Sequence, residues 1–477
     1  MLFNSIDFFI FLPIVFVLYW FVFFKGLGIQ NFLVLVASYF FYGWWDWRFL
    51  TLIVFSTLVD YSIGVALAKT ESPGKRKTLL VTSIIVNLGF LGFFKYYNFF
   101  IESFTDAFTV LGYSIQPNTL NIVLPVGISF YTFQTLSYTI DVYREKLEPT
   151  KNFISFAAFV GFFPQLVAGP IERATNLLPQ FYEKRHFDLA KAKDGLRQML
   201  WGLFKKVVIA DNCAKYANLI FNNSNDYSSS TLVMGAFFFA FQIYGDFSGY
   251  SDIAIGVSRL FGFELKRNFA FPYFSRDIAE FWRRWHISLS TWFRDYLYIP
   301  LGGSRGGLKM KVRNTMIIFL VSGFWHGANW TFIIWGALNA IYFLPLLLLN
   351  KNRINTDIVA EGKWFPNFKE LLQMTITFAI TLLAWIFFRA DTVSAAFAYI
   401  GGIFSADFFS VPEVFPSFLI YLIGGFVITE WLGRHGEYAI EQIVKFGKGW
   451  RWALYFGIIF LLFAYTGEEQ EFIYFQF

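Results

Sequence analysis

The chain has 477 residues, of which 56% are hydrophobic and only 15% are charged. Soluble domains carry roughly 25% charged residues, and here apolar runs long enough to cross a bilayer recur along the whole length. Composition therefore excludes a soluble globular protein and predicts an all-α polytopic membrane protein. The net charge of +6 comes from basic loops and indicates no nucleic-acid surface. The single cysteine, Cys213, excludes an internal disulfide, and no Cys/His spacing suggests a metal site.

The N-terminal part of the chain predicts a series of membrane helices. The first apolar run follows MLFNSID, which lacks a basic region and a small-residue cleavage site, so a retained helix rather than a signal peptide is predicted. The predicted helices are 7–24, 31–43, 48–68, 78–97 and 122–141. The basic loops KTESPGKRK and YREKLEPTK are placed in the cytoplasm, and the loop 101–121, which has no Lys or Arg, outside.

The middle of the chain contains one irregular apolar segment. The run FISFAAFVGFFPQLVAGP, within 152–170, is broken by Pro164, Gly169 and Pro170. We interpret it as re-entrant or as a short hairpin, because irregular backbone at membrane depth must be buried in protein or line a cavity. A cytoplasmic segment, 171–206, then leads into a helix ending near Phe221. The next predicted helix is 231–258.

The longest polar segment is 259–313, which holds eleven basic and four acidic residues and is therefore predicted to be cytoplasmic. Its part IAEFWRRWHISLSTWFRDY, 278–296, has a helical period with one aromatic face and one charged face. This pattern predicts a single helix lying in the membrane interface.

Four polar residues of this predicted helix have two interpretations each. His286 falls at the edge of the apolar face, either as a snorkelling histidine or as a second polar group at the cytoplasmic mouth of a site. Arg283, Arg284 and Arg294 either bind anionic lipid headgroups or attract a phosphate-bearing thioester donor.

The C-terminal part completes the predicted topology. Residues 314–349 form a long buried pair of segments, and further spans are predicted at 370–388, 416–432 and 452–465. The prediction is one integral-membrane domain, 1–477, with about eleven or twelve transmembrane or re-entrant segments, both termini outside and an external tail, 466–477.

One ionisable residue, His326, lies near the middle of the membrane-length run 317–340, IIFLVSGFWHGANWTFIIWGALNA. An ionisable side chain at membrane depth is a candidate functional residue, because burial there costs free energy. The alternative is a neutral histidine hydrogen-bonded to another helix, with Gly323 and Gly327 as a small-residue packing face.

Two further stretches of sequence contain reactive or charged side chains among apolar residues. Asp246 and Asp252 lie in the run FQIYGDFSGYSDIAIG and need partners there. A structural ion pair is favoured for them, and a role in orienting His326 comes second. The tail EFIYFQF is apolar and should dock into its own helices or into a partner; its one nucleophile is the hydroxyl of Tyr474.

Four motifs carry a resemblance to a known family. WRRWHISLSTWFRDYLYIPLGG and SGFWHGANWTFIIWGALNA closely resemble the membrane-bound O-acyltransferase family. PQLVAGPIERATNLLPQF and GISFYTFQTLSYTIDVYR resemble its alginate O-acetylation branch. The resemblance implies a ring of tilted helices around a central tunnel, with His326 as the catalytic histidine and His286 as the second signature histidine.

The resemblance also implies an activity and partners. The expected activity is O-acetylation of an extracytoplasmic polysaccharide, an alginate-like exopolysaccharide or peptidoglycan, from the bacterial cytoplasmic (inner) membrane. A separate periplasmic or extracellular O-acetyltransferase would complete the reaction, and Tyr474 would match a proposed acyl relay. No bound cofactor is expected; the acyl donor would be acetyl-CoA or an acyl carrier protein.

The residues agree with this chemistry. An imidazole can be neutral at working pH and take the proton of an attacking hydroxyl. Gly323 and Gly327 would let a donor chain or an acceptor approach the ring, and Asn329 is a candidate donor of a hydrogen bond to the oxyanion.

Three alternatives remain open on the sequence. One is a transporter of polysaccharide or lipid-linked sugar, which also needs intramembrane polar residues and a cavity. Another is a non-catalytic scaffold that docks an external enzyme through its aromatic tail. The third is a D-alanyl transferase of the teichoic acid type.

Overall fold

The computed structural model describes residues 1–113, 116–405, 409–466 and 470–473, and within these ranges regular structure is helical, with no strand. The chain forms two compact units. Unit 1 consists of Met1–Ala192 and Val257–Leu265, and unit 2 of Lys193–Gly256 and Lys266–Phe477.

The helices of unit 1 follow the predicted order. They are α1 (Ile6–Val17), α2 (Leu27–Gly43), α3 (Leu50–Ala68), α4 (Pro73–Leu91), α5 (Tyr97–Val110), α6 (Ile128–Tyr143), α7 (Phe153–Gly161) and α8 (Ala174–Leu177). Single π-helical turns follow α1 at Leu18–Val22 and join α4 to α5 at Gly92–Tyr96, and 3₁₀ turns occupy Trp47–Phe49 and Leu178–Phe181.

The predicted external loop 101–121 is partly wrong, because the helix that precedes it continues to Val110. Glu102 and Asp106 suggested a loop, yet the chain has no proline or glycine there to end the helix. The helix stops just before Gly112, which has a φ of 87°, a conformation that glycine adopts at little cost.

The irregular segment that follows α7 lies inside unit 1. Phe162, Phe163 and Leu166 are at most 1% exposed, and the backbone from Phe162 to Pro170 is non-helical. This burial agrees with the expectation that irregular backbone here is enclosed by protein. Whether the segment is re-entrant in a bilayer stays a prediction.

The remaining helices lie wholly or mostly in unit 2. They are α9 (Leu189–Leu203), α10 (Asp211–Asn222), α11 (Ser229–Leu260), α12 (Ile278–Arg284), α13 (Ile287–Phe293), α14 (Gly307–His326), α15 (Trp330–Leu348), α16 (Phe368–Arg389), α17 (Val393–Ile403), α18 (Ser417–Gly433) and α19 (Lys448–Ala464). A π-helical stretch, Phe204–Ala210, joins α9 to α10, and another, Arg294–Tyr298, follows α13; 3₁₀ turns occupy Ser224–Asp226, Pro272–Phe274 and Glu441–Lys445. Helix α17 was not predicted from the sequence.

Among the residues that the structure describes, five helices are long and apolar enough to cross a membrane. They are Trp47–Ala68, Pro73–Val110, Ser229–Leu260, Trp330–Leu348 and Phe368–Arg389, and shorter apolar helices occupy Ile6–Val22, Leu27–Gly43, Val393–Ile403 and Ser417–Gly433. The all-α polytopic membrane fold is thus confirmed. The exact number of crossings, the side of each loop and the central tunnel stay predictions.

The single helix predicted over 278–296 is wrong, because the chain breaks between α12 and α13. Trp285 is extended and His286 is left-handed, with a φ of 44°. Backbone bonds from another segment replace the helical ones: Ala270 N–H donates to Arg284 O, and Ile287 N–H donates to Asn268 O, both at 2.9 Å. The helical period therefore persists through a break that tertiary contacts impose.

Helices α14 and α15 form a closely packed pair in unit 2. A Cβ added to Gly323 would lie 2.2 Å from Phe332 O, and one added to Gly336 would lie 2.3 Å from Phe319 O. Such an approach requires glycine at both positions. The expected small-residue packing face is present, with Gly336 as its second member.

We expect Gly323→Ala to destabilise unit 2 by about 1–3 kcal/mol, because the new methyl group meets backbone atoms that cannot move independently. The measurement is thermal unfolding in detergent. The matched control is Gly424→Ala in α18, where a Cβ meets nothing within 4 Å, so that its midpoint should stay the same or rise. Equal shifts in both variants would contradict the packing argument.

Candidate functional site

Two histidines meet in the interior of unit 2. His326 is the last residue of α14, and His286 occupies the break between α12 and α13. Their ring centroids are 6.4 Å apart, and the residues are 3% and 1% exposed. Two titratable, nucleophilic rings in contact distance of one another inside an apolar core form the strongest candidate for a reactive site.

Aromatic side chains enclose the His326 ring. The ring centroids of Trp325 and Trp335 lie 5.0 Å from it, and that of Phe388 lies 5.4 Å away. All three contacts are edge-on or steeply inclined, as aromatic pairs prefer. These three aromatic side chains exclude bulk water from the imidazole and restrict its orientation.

His286 is held by Asn268, whose side chain is fully buried. The Asn268 Oδ1 atom lies 3.2 Å from His286 Nδ1 and accepts hydrogen bonds from the Ser288 backbone N–H at 3.2 Å and the Ser288 hydroxyl at 2.9 Å. Because a backbone N–H only donates, it fixes this atom as the amide oxygen. A neutral His286 therefore carries its proton on Nδ1.

The burial of His286 corrects the prediction that it lies along the bilayer side of an interfacial helix. Its ring packs edge-on against Phe247, with centroids 4.7 Å apart, and stacks towards Phe269 at 6.4 Å. The left-handed backbone turns the side chain into the core, whereas a continuous helix would have placed it at the edge of the apolar face. Of its two interpretations, the polar group of a site fits this position.

The glycines beside His326 do not leave an open approach to the ring, so that prediction is wrong. A Cβ on Gly327 would lie 2.1 Å from the ring of Phe332, and one on Gly323 meets the Phe332 carbonyl oxygen. Phe332 fills the space that the missing side chains create. These glycines serve helix packing.

Asn329 has a local structural task. Its Oδ1 accepts from Thr331 N–H at 3.0 Å and caps the N-terminus of α15, and its Nδ2 donates to Asp391 O at 2.9 Å. Because both polar atoms are engaged in this way, the geometry gives no support to an oxyanion contact.

Asp252 pairs with a buried lysine that was not predicted. Lys205 Nζ lies 2.6 Å from Asp252 Oδ2 and donates to Ser248 Oγ at 2.9 Å. Gln198 Nε2 donates to Asp252 Oδ1 at 2.9 Å. This is the structural ion pair that the sequence favoured over a contact with His326.

Asp246 pairs with the neighbouring lysine and with the C-terminal segment. Lys206 Nζ lies 2.8 Å from Asp246 Oδ1, and Asp246 Oδ2 accepts from the backbone N–H of Ile473 at 2.7 Å. The tail thus docks into its own helices, at least over 470–473. Tyr474, the predicted acyl relay, lies outside the described residues.

Arg283 and Arg284 hold a loop of unit 2. Arg283 donates to Asn352 O and Asn355 O at 2.9 and 2.6 Å, and Arg284 donates to Glu280 Oε1 at 2.6 Å and Asp357 O at 2.9 Å. Both guanidinium groups are therefore engaged in contacts within the protein. Their predicted role in donor attraction is not supported by this geometry.

Asp357 belongs to the same cluster. The Arg276 guanidinium lies 2.9 Å from its carboxylate, and this contact lowers the pKa of Asp357 below its usual range. Arg276 also pairs with the buried Glu280 at 3.0 Å.

Arg294 lines a cavity of about 430 Å³ in unit 2. Its basic lining comes from Arg294, Lys311 and Arg353, and its apolar lining includes Phe319 and Phe343. Arg294 also pairs with Asp295 at 2.7 Å and remains 59% exposed at its side chain. Of the three predicted arginines, this one borders an open cavity.

An aromatic row connects this cavity to the histidines. Phe319 lies 5.4 Å from Trp282, Trp282 lies 5.6 Å from Trp335, and Trp335 lies 5.0 Å from His326, all measured between ring centroids. The apolar lining of the cavity is therefore linked to His326 through a series of packed aromatic rings.

Four polar residues of this region were missed from the sequence. Lys205 and Lys206 are flanked by apolar residues in WGLFKKVVIA, and Glu430, which accepts from Tyr244 Oη at 2.8 Å, stands alone in FVITEWLG. These isolated charges were a detectable signal. Nothing comparable distinguishes Asn268. Among the described residues, no cluster of His, Cys, Asp and Glu fits a metal ion.

Comparisons with known proteins agree on one family. The sequence model of the membrane-bound O-acyltransferase family (MBOAT) matches residues 145–385. A probable alginate O-acetylase of Pseudomonas syringae pv. tomato is 42% identical over 86% of this chain and 76% of its own length. A peptidoglycan O-acetyltransferase of Helicobacter pylori is 38% identical, over 77% and 72% of the two chains. A teichoic acid D-alanyltransferase of Streptococcus thermophilus is 29% identical, over 61% and 75%.

We expect Asn268→Ala to lower the free energy of unfolding by about 1–3 kcal/mol, because it removes the partner of the buried Ser288 and His286 polar groups. The measurement is again thermal unfolding in detergent. Asn223→Ala, which removes an exposed amide bonded to Leu219 O, is the control and should change stability by about 0.5 kcal/mol or less. An unchanged unfolding midpoint in Asn268→Ala would show that the hydrogen bonds of Asn268 are not what holds His286 in place.

Proposed function

Because the chain belongs to the membrane-bound O-acyltransferase family, we propose that it moves an acetyl group from a cytoplasmic thioester to an acceptor hydroxyl on the outer side of the membrane. The protein is a multi-pass membrane O-acyltransferase. The observation that carries the finer proposal is the contact of two buried histidines, 6.4 Å apart between centroids, inside an aromatic enclosure.

The proposed acceptor class is an extracytoplasmic polysaccharide, alginate-like or peptidoglycan. The names of the relatives from Pseudomonas syringae pv. tomato and Helicobacter pylori support it. With this acceptor, the protein works in the bacterial cytoplasmic membrane with a periplasmic or extracellular O-acetyltransferase as its partner. D-alanyl transfer is the second candidate; the lower identity of the D-alanyltransferase relative, 29%, supports acetyl transfer as the first.

His326 acts as the general base in the proposed reaction. The imidazole removes the proton from the acceptor hydroxyl while the oxygen attacks the thioester carbonyl. The C–S bond then breaks, and the imidazolium returns the proton to the thiolate, so that an ester and a free thiol leave. General-base catalysis of this kind contributes roughly 10²–10⁴ in rate. The acceptor is either Tyr474 as a relay or a hydroxyl of the partner or polymer.

His286 acts beside it as a second polar group of the same site. Its proton is held on Nδ1 by Asn268, so the other nitrogen is directed to accept a hydrogen bond. In this role it orients the acceptor hydroxyl, either directly or through a bridging water. The two histidines thus have different roles: His326 transfers the proton, and His286 positions the acceptor hydroxyl.

The cavity beside Arg294 is the proposed mouth for the donor. A phosphate-bearing thioester, on coenzyme A or on an acyl carrier protein, needs cations for the phosphate and an apolar channel for the pantetheine arm. Arg294, Lys311 and Arg353 supply the former. The aromatic row from Phe319 to His326 gives the direction in which the arm would have to extend, and the arm would enter by displacing these side chains.

We expect His326→Ala to lower acetyl transfer by about 10²–10⁴, since it removes the base and leaves the donor cavity intact. Purified protein is incubated with acetyl-CoA or acetyl carrier protein labelled in the acetyl group, and label on the protein or polymer is counted. His435→Ala, in an exposed position, is the control and keeps the wild-type rate. A wild-type rate of acetyl transfer by His326→Ala would exclude His326 as the general base. If the same substitution abolished polymer export and left acetylation intact, a transporter would be favoured.

We expect Arg294→Ala or Lys311→Ala to raise the KM for the donor about tenfold, because loss of one charge-assisted hydrogen bond costs roughly 1.5 kcal/mol. Steady-state rates are measured against donor concentration, at low and high salt. Lys309→Ala removes an exposed lysine from the same turn of α14 and should leave KM unchanged. Equal effects of Lys311→Ala and Lys309→Ala would indicate general charge attraction and exclude a phosphate site in this cavity.

A further inference from the structure

The C-terminal segment 470–473 is inserted into unit 2, although it follows a polar stretch of sequence. Phe472 and Ile473 are 2% and 1% exposed, and the Phe472 ring centroid lies 5.1 Å from that of Tyr250 in α11. The insertion places the end of the described chain against the helix that also carries Phe247, the neighbour of His286.

The Lys206–Asp246 ion pair forms hydrogen bonds with the backbone of this segment at both of its ends. Lys206 Nζ donates to the carbonyl oxygen of Gln470 at 3.3 Å, and Asp246 Oδ2 accepts from the Ile473 N–H at 2.7 Å. Lys206 and Asp246 are themselves joined at 2.8 Å. The cation thus meets a carbonyl and the anion meets an amide, which is the complementary arrangement for a peptide main chain.

The charge balance favours this contact. Lys206 also lies 2.8 Å from Asp211 Oδ1, so that one cation faces two carboxylates. The Ile473 N–H gives Asp246 a further donor beside the ammonium group that it shares with Asp211. A buried carboxylate oxygen that lost this donor would be left without compensation in apolar surroundings.

An adjacent ion pair, Lys205–Asp252, is buried with help from helix side chains. Burial of charge in this region therefore does not by itself require the C-terminal segment. Lys205, one residue before Lys206, and Asp252, six residues after Asp246, join the same two helical stretches. Their pair is completed by Gln198 and Ser248, side chains of α9 and α11. The Lys206–Asp246 pair instead uses main-chain groups of the C-terminal segment.

We propose that Lys206 and Asp246 form a backbone clamp that binds the C-terminal segment 470–473 through its main-chain groups. Lys206 and Asp246 are positioning residues, since they contact the segment and not the reacting atoms. Tail binding is independent of the catalytic assignment; only its consequence for acetyl transfer rests on the proposed function.

The first test measures tail release directly. In a Cys213→Ser background, which removes the one natural cysteine, Ile473→Cys serves as a reporter for maleimide labelling of the purified full-length protein in detergent. Asp246→Leu should accelerate labelling about tenfold, since the segment loses one hydrogen bond to a charged group. The matched control Asp252→Leu disrupts the neighbouring ion pair and should leave the labelling rate at that of the parent.

Two labelling results would overturn the clamp. One is unchanged labelling in a folded Asp246→Leu protein, and the other is equal acceleration in Asp246→Leu and Asp252→Leu, which would indicate general loosening. Size-exclusion chromatography reports whether each variant is folded.

The second test changes only the tail, and so decides the matter if Asp246→Leu does not fold. Ile473→Pro removes the N–H donor and leaves every charge in place, whereas Ile473→Ala keeps the N–H and removes most of the side chain. In the Cys213→Ser background with Phe472→Cys as the reporter, we expect Ile473→Pro to increase the rate of maleimide labelling about tenfold over Ile473→Ala. Equal labelling rates in the two would overturn the clamp.

The same pair of variants separates the clamp from the proposed function. If Ile473→Pro releases the tail and lowers acetyl transfer, the tail acts in the reaction. If it releases the tail while transfer from the labelled donor stays at the wild-type rate, the clamp stands and a relay through Tyr474 is excluded.

Discussion

The close contact of α14 with α15 at Gly323 and Gly336 fixes the position of His326. The two backbones approach so closely that neither position admits a Cβ. α14 therefore ends at His326 within reach of α15, and Trp335 on α15 borders the imidazole at 5.0 Å. A side chain with two rotatable bonds becomes an oriented group because the helices that carry and flank it cannot slide apart. The proposed base depends on this packing before it depends on any charge.

Buried polar groups impose a second constraint, and the two units satisfy it differently. In unit 1 the carboxylate of Asp60 accepts from neutral donors, among them Asn87 at 2.8 Å and Thr139 at 2.9 Å. In unit 2 the carboxylates of Asp246, Asp252 and Asp357 pair with Lys206, Lys205 and Arg276, which come from other segments. Asp60 and Thr139 are 79 residues apart, so neutral donors as well as ion pairs join segments that are distant in the sequence. The ion pairs of unit 2 accordingly hold the loop around Asp357 and the C-terminal segment.

Local signals in the sequence were sufficient for most of the fold. The length of the apolar runs predicted the membrane helices, and the ends of most lie within a few residues of those observed. His326 stood out because a lone ionisable group in an apolar run is expensive. The break at His286 was not predictable in this way. It results from backbone hydrogen bonds made by Asn268 and Ala270, and the side chains of 278–296 keep a helical period on both sides of it.

The sequence by itself determined that this is a helical membrane protein of the O-acyltransferase family and that His326 is its leading candidate for catalysis. Both conclusions follow from hydrophobicity and motifs, which are properties of contiguous residues. Only the tertiary structure decided that His286 is buried beside His326, that Arg284 holds a loop, and that Asp246 binds the tail. The partner of a charge or a ring is chosen by which segments pack together, and short-range sequence patterns do not contain that information.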